Sequence, residues 1–231
     1  MKIFSGIIEI LTTKEYIMTV LEGLGTTLLI TVCALVIGLV LGLLLALVKI
    51  LAMNNRFMKI PAKICDLYIA IVRGTPVALQ LFLMAFAVFA IRGFPLEITA
   101  IITFGLNSAA YVAENIRAGI LSVDKGQMEA GRALGLGFGC TMCRIVVPQA
   151  IKNIIPTIGN EIIALLKETS IVSMVGLIDL TFAAKIVGSG QNMASYIVPM
   201  IFVGLFYLAL VYIITFIINI IERRLRASDK R

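Results

Sequence analysis

The sequence predicts an all-α, polytopic membrane protein with about five transmembrane helices, and three observations carry that expectation. Sixty per cent of the 231 residues are hydrophobic and only 14% are charged, whereas soluble domains run nearer half apolar and a quarter charged. Mean hydropathy is +1.05. Crossing the hydrocarbon takes roughly 20 predominantly apolar residues, and on that ruler spans are expected at Gly23–Val48, Lys63–Ile91, Leu96–Ile116, Asn153–Ile178 and Ala194–Ile221. The third observation is the placement of charge. Lys49, Arg56, Lys59 and Lys63 follow the first span, Arg117, Lys125, Arg132, Arg144 and Lys152 separate the third from the fourth, and Arg223, Arg224, Arg226, Lys230 and Arg231 close the chain. The alternate loops hold only Arg92 and Lys185, so the positive-inside rule puts the N-terminus outside and the C-terminus in the cytoplasm. The same placement accounts for the net charge of +7 without a nucleic-acid partner.

Taken in order, the opening residues 1–19 carry Lys2, Glu9, Lys14 and Glu15 and no small-residue cleavage pattern, so a removable signal peptide is not expected. The first span itself then directs insertion. Its Gly25-Thr26-Thr27 start is read as a small-residue helix contact. In the second span, Pro76 removes a backbone hydrogen bond and Thr75 is placed to cap a new helix start, which predicts a break or kink. Glu114 and Arg117 end the third span three residues apart on one face, as gate or loop anchors. Apart from the termini, only residues 117–152 form a long connection, so a single membrane domain spanning residues 1–231 is expected.

Absences bound the chemistry. With no histidine, the commonest general base and most transition-metal sites are missing, and no metal site is expected. Cys140 and Cys143 form a CxxC, but no second pair accompanies it and a cytoplasmic structural disulfide is not expected. No Gly-Lys pair occurs, which excludes the phosphate-binding GxxxxGK[ST] loop. Any ATP chemistry must come from another chain.

The connection contains DKGQMEAGRALGLGFGCTMCRIVVPQA, Asp124 to Ala150. Helical spacing puts Lys125, Glu129 and Arg132 on one face and Ala130, Gly131, Leu134 and Phe138 opposite, which predicts an amphipathic helix of about three to four turns beginning after Asp124. Gly135, Gly137 and Gly139 let the chain turn, and Pro148 marks the start of the re-entering segment. One reading lays this helix in the headgroup layer. The other notes that Ala130, Gly131 and Ala133 are small, which suits close approach to a protein better than membrane affinity.

EAGRALGLGFGCTMCRIVVP resembles the EAA loop of ABC importer membrane subunits, Glu-Ala-Ala, three residues, Gly, nine residues, Ile-x-Leu-Pro. Glu129, Ala130, Gly135, Ile145 and Pro148 fit at the correct spacing, with Gly131 for the second Ala and Val147 for Leu. RGTPVALQLF (Arg73–Phe82), AAYVAENIRAGI (Ala109–Ile120) and GNEIIALLKETSIVSMVG (Gly159–Gly176) are similar to the polar-amino-acid (histidine-glutamine-arginine) subgroup of these permeases. The resemblance implies the type I importer permease fold in a bacterial inner membrane. It also implies two ATPase subunits, a second permease copy, identical or related, and an extracytoplasmic amino-acid-binding protein. It further implies that Glu129, Ala130, Gly131 and Gly135 couple the chain to an ATPase groove. No cofactor is expected in this chain, ATP and Mg belonging to the partner ATPase, and the chain itself is not expected to be an enzyme.

Ionisable groups inside spans are expensive and usually face a bundle interior or a water-filled path. Span four carries Glu161 and Glu168 seven residues apart, with Asn160 and Lys167 repeating that spacing on an adjoining stripe, beside Thr169 and Ser170. Glu161 can accept from an amino-acid ammonium and Lys167 can donate to its carboxylate; the alternative is that Lys167 and Glu168 pair and fix the bundle. Thr75 and Gln80 at the broken second span are placed near the substrate carboxylate, or else form a packing kink with Arg73 paired to an acid. The competing function is an ion-coupled secondary amino-acid carrier using Glu161 and Glu168.

Overall fold

A computed structural model describes residues 2–189 and 197–227. Among them every regular element is helical: α1 (Lys2–Thr12), α2 (Lys14–Ala52), α3 (Lys59–Gly74), α4 (Val77–Leu83), α5 (Leu96–Leu121), α6 (Lys125–Ala133), α7 (Phe138–Thr141), α8 (Val147–Glu168), α9 (Leu180–Ser189) and α10 (Ile197–Arg226). Helices α2, α5 and α10 are each long and apolar enough to cross a membrane, and the candidate spans number five if each of two bent pairs counts as one. Residues 194–196 of the fifth expected span, together with Met1, Lys230 and Arg231, lie outside the described residues.

The helix boundaries follow local chemistry. A largely apolar run with no proline carries α2 past both ends of the expected Gly23–Val48, from Lys14 to Ala52, until Met53-Asn54 turns and the Asn55 side chain accepts from Phe57 N at 2.9 Å. Helix α3 stops at Gly74 because the residue before a proline is driven out of the helical region: Thr75 sits at φ −123°, ψ 145°. Its hydroxyl donates to Ile71 O at 2.9 Å, satisfying a carbonyl at the helix end. The second span is therefore broken where Pro76 predicts.

Two expectations are corrected. The connection 117–152 is mostly helical, since α5 runs on to Leu121 and the fourth span starts at Phe138, continuing through a π turn at Met142–Val146 into α8. Pro148 thus lies inside a helical run, ten residues after its start. Having no N–H, it cannot close an α-helical bond, and the preceding turn widens so that Val147 N–H donates to Met142 O. Helices α1 and α9 were not expected; each is too short to meet a span-length criterion, which is why neither was legible.

The chain divides into two compact units. The first comprises Met1–Leu35, Val77–Phe104 and Ile163–Ile214. One of its cores gathers Ile30 and Ala34 of α2, Leu81 of α4, Phe104 of α5 and Leu165 of α8; another joins Val20 of α2 to Leu180 and Ala184 of α9 and Phe202 of α10. The small-residue contact expected at the start of the first span falls inside α2 and lies at Gly23 rather than Gly25: a Cβ on Gly23 would come 2.6 Å from Asp179 O, while Gly25 faces open space. Thr27 is fully buried and its hydroxyl accepts from Leu180 N at 3.1 Å.

The second unit comprises Val36–Pro76, Gly105–Ile162 and Thr215–Arg231. Here α2 and α5 approach through glycines: a Cβ at Gly38 would lie 2.7 Å from Ser108 Oγ, one at Gly42 2.6 Å from Val112, and one at Gly105 2.7 Å from Ile37. In hydrocarbon the hydrophobic effect does not drive helices together, so such close van der Waals packing is what holds them.

Candidate functional site

Within the second unit, α6 is a nine-residue helix, shorter than the three to four turns expected. Asp124 caps it, its carboxylate accepting from Gly126 N at 2.8 Å. Gly135 ends it at φ +81°, where Gly135 N donates to Arg132 O at 3.0 Å and Leu136 N to Gly131 O at 3.1 Å, the paired bonds of a left-handed glycine cap. Met128 and Phe138 pack on a core of Ile120, Met142, Val146 and Ala150. Gln127 of α6 and Gln149 of α8 meet at 3.3 Å, and Asn153 of α8 donates at 2.8 Å to Ser122 Oγ in the turn between α5 and α6, so α6 and the turn that leads into it are both held to α8 by side chains.

This seating divides the four expected coupling residues. Glu129, Ala130 and Gly135 are exposed, whereas Gly131 is buried against its own chain, where a Cβ would come 2.5 Å from Thr141 Cγ2. The expected face of Ala130, Gly131, Leu134 and Phe138 therefore splits: Gly131 and Phe138 turn inward, and Leu134 is 81% exposed. The inward stripe is Met128 and Gly131, three apart. Sequence pattern alone did not separate it from Ala130 because small residues occupy both. Cys140 and Cys143 are free thiols, and among the described residues no group of Cys, Asp or Glu is arranged to hold a metal.

A second cluster in this unit draws on three helices. Lys49 of α2 has an Nζ 2.8 Å from Asp66 of α3 and 3.7 Å from Glu114 of α5, with only 14% of its side chain exposed. Glu114 is in turn held by Arg117, whose Nε lies 3.0 Å away. Arg73 of α3 stacks over the Tyr111 ring at 5.2 Å. Lys49, Asp66, Ile69, Ala70, Arg73, Glu114 and Arg117 line a cavity of about 510 Å³. The i,i+3 spacing announced Glu114 and Arg117 in the sequence. Nothing local announced that Lys49, Asp66 and Arg73 join them.

The expected pathway residues fall in both units. In the second, Glu161 of α8 is half-buried and accepts from Ser108 Oγ of α5 at 2.8 Å, while Asn160 and Thr75 are exposed. In the first, Gln80 is half-buried on α4 beside core Leu81, Lys167 is exposed and Glu168 half-buried. Among the described residues no ion pair joins Lys167 to Glu168. Ser170 Oγ donates to Lys167 O at 2.7 Å, at the transition from α8 to a 3-10 turn.

Sequence reasoning passed over Asp179, a fully buried acid of the first unit. Its carboxylate accepts from Phe182 N at 2.8 Å and Thr181 N at 3.0 Å, and the Tyr207 hydroxyl lies 3.4 Å away. It is the N-cap of α9. The signal available was an Asp immediately ahead of the short run LTFAAK.

Comparison with known proteins gives a consistent result. A family model described as the inner membrane component of binding-protein-dependent transport systems matches residues 38–227. The arginine transport system permease protein ArtQ of Bacillus subtilis (strain 168) is 42% identical over 212 residues, covering 91% of this chain and 94% of that protein. A putative glutamine transport system permease protein GlnP of Rickettsia bellii (strain RML369-C) is 44% identical, covering 92% and 95%. Among solved structures, an amino acid ABC transporter crystallised with histidines superposes with a TM-score of 0.82 at 37% identity, covering 93% of this chain and 97% of that one. The MetNI methionine ABC transporter, inward facing, shares the fold with a TM-score of 0.77 at 21% identity, over 93% and 99%.

Proposed function

The chain belongs to the family of inner membrane components of binding-protein-dependent transport systems, and on that premise we propose that it is the permease subunit of an ATP-driven importer of polar or charged amino acids. It is a multi-pass membrane transport subunit, not an enzyme. The substrate class rests on relatives named for arginine and glutamine transport, at 42% and 44% identity over nine-tenths of the chain.

Two copies of the permease, or this chain with a related one, enclose the path, two ATPase subunits bind ATP and Mg beneath, and an extracytoplasmic binding protein delivers substrate. The N-terminus lies outside and the C-terminus in the cytoplasm, following the distribution of Lys and Arg. The single membrane domain carries its coupling element in residues 117–152.

The observation that carries the mechanism is the seating of α6. Met128 and Gly131 fix it to its own bundle while Glu129, Ala130, Ala133 and Leu134 stand exposed. A helix held from one side and bare on the other is suited to being gripped. Closure of the ATPases moves α6, and the Gln127–Gln149 tie passes that displacement to α8, with the Ser122–Asn153 bond holding the turn before α6 to the same helix. Glu161, Asn160, Lys167, Glu168 and Ser170 on and after α8, with Thr75 and Gln80 at the broken span, line the path that alternates in access.

The test is uptake of L-arginine and L-glutamine into proteoliposomes holding the permease, the ATPase and the binding protein. Uptake that requires ATP on the ATPase face of the membrane is the expected result. Uptake by the permease alone, driven by an ion gradient, identifies a secondary carrier and overturns the reading.

A further inference from the structure

Beside the charged cavity of the second unit lies an apolar one of about 230 Å³, lined by Leu41, Leu44, Leu45, Val48, Tyr68 and Leu106. The two are neighbours on the same helices. Leu45 and Lys49 are one turn apart on α2, and Leu45 and Tyr68 pack in one cluster with Ile69, which lines the charged cavity. The Tyr68 hydroxyl is satisfied within the wall, donating to Leu106 O at 2.5 Å, so it places no unpaired polar group in the slot.

The charged cavity is not electrically spent. Three cations face two carboxylates, leaving one positive charge. Lys49 is held between Asp66 and Glu114, and Arg117 by Glu114. Among the described residues Arg73 has no ion pair; its guanidinium lies over Tyr111, exposed at the cavity wall. Asp66 is also incompletely used, with 57% of its side chain exposed and one oxygen on Lys49. A guanidinium stacked on Tyr111, without an ion pair among the described residues, and a partly exposed carboxylate therefore share a chamber that adjoins an apolar slot.

We propose that this paired cavity holds a membrane aminophospholipid, its phosphate on Arg73, its primary ammonium on Asp66 and an acyl chain in the Leu41–Leu45–Val48 slot. Guanidinium pairs with phosphate through two parallel hydrogen bonds, and a basic pocket between membrane helices is a recognised setting for lipid headgroups. A purely anionic headgroup would meet the Asp66 carboxylate unfavourably, and a quaternary ammonium offers it no hydrogen bond. The flank of α3 supports a lipid-facing position, with Ile60 73%, Ile64 65% and Leu67 62% exposed.

The experiment is native mass spectrometry of the delipidated complex, purified with its natural subunits and titrated with dioleoyl phosphatidylethanolamine, phosphatidylcholine or phosphatidylglycerol. Phosphatidylethanolamine is expected to be retained preferentially. Loss of the two-pronged phosphate contact in Arg73→Gln, and separately of the carboxylate charge in Asp66→Asn, is expected to weaken its retention by about tenfold or more, with Arg73→Lys, which keeps the charge but not the paired geometry, recovering only part of it. Equal retention of the three lipids, or retention unchanged in Arg73→Gln, overturns the proposal. A second permease copy filling the cavity gives that unchanged result and overturns it equally.

Discussion

Gly131 leaves no room for a side chain beside Thr141: a Cβ would lie 2.5 Å from Thr141 Cγ2 and 3.2 Å from Ile145 Cδ1. The contact seats α6 on its own bundle. Thr141 is itself fully buried, its hydroxyl donating to Gly137 O at 3.1 Å. Gly131→Val is therefore expected to cost about 1–3 kcal/mol through overpacking, read as a lower melting temperature of the purified permease. Ala130→Val, on the exposed side of the same helix, is expected to leave that melting temperature unchanged while lowering the amount of ATPase that co-purifies.

Gly135 closes α6 at φ +81°, and a Cβ there would meet no atom within 4 Å, so its role is conformational and not steric. An L-residue in the left-handed region costs about 1–2 kcal/mol. Gly135→Ala is expected to speed proteolysis of the 134–137 turn, and Gly135→Asn, which tolerates that region better, to do so less.

The Ser108–Glu161 bond at 2.8 Å allows charge and tether to be separated. Glu161→Gln retains an acceptor for Ser108 and removes the charge, so it is expected to preserve folding and raise the KM for a cationic amino acid. Ser108→Ala removes the tether and keeps the charge, with an expected stability loss of about 1 kcal/mol. Equal transport by wild type and Glu161→Gln would remove Glu161 from the pathway.

Asp179 is buried and accepts two backbone N–H groups at the start of α9. Asp179→Ala leaves those donors unsatisfied, at an expected cost of about 1–2 kcal/mol. Asp179→Asn, which keeps an acceptor, is expected to lose less. Thermal unfolding of the two variants side by side gives the comparison.

The membrane class, the five apolar runs and the break at Thr75-Pro76 were legible because each is written in local composition or in proline chemistry. That a helix begins after Asp124 was legible from the cap and the helical spacing, but its inward side was not. Ala130 and Gly131 look alike as small residues, and only the position of Thr141 decides which of them is buried. The Lys49–Asp66–Glu114 cluster was invisible for a different reason: its members come from three helices, and no periodicity links them. Glu114 and Arg117, three apart on one helix, were the part that a one-dimensional pattern can reveal.

The central claim is that α6 is the surface an ATPase grips. A photo-reactive phenylalanine analogue at Leu134, 81% exposed just past the end of that helix, should cross-link to the ATPase subunit in the intact complex, and the same probe at Ile60, 73% exposed on α3, should not. Adducts of position 134 with lipid alone, or equal labelling of the ATPase from both positions, would contradict it.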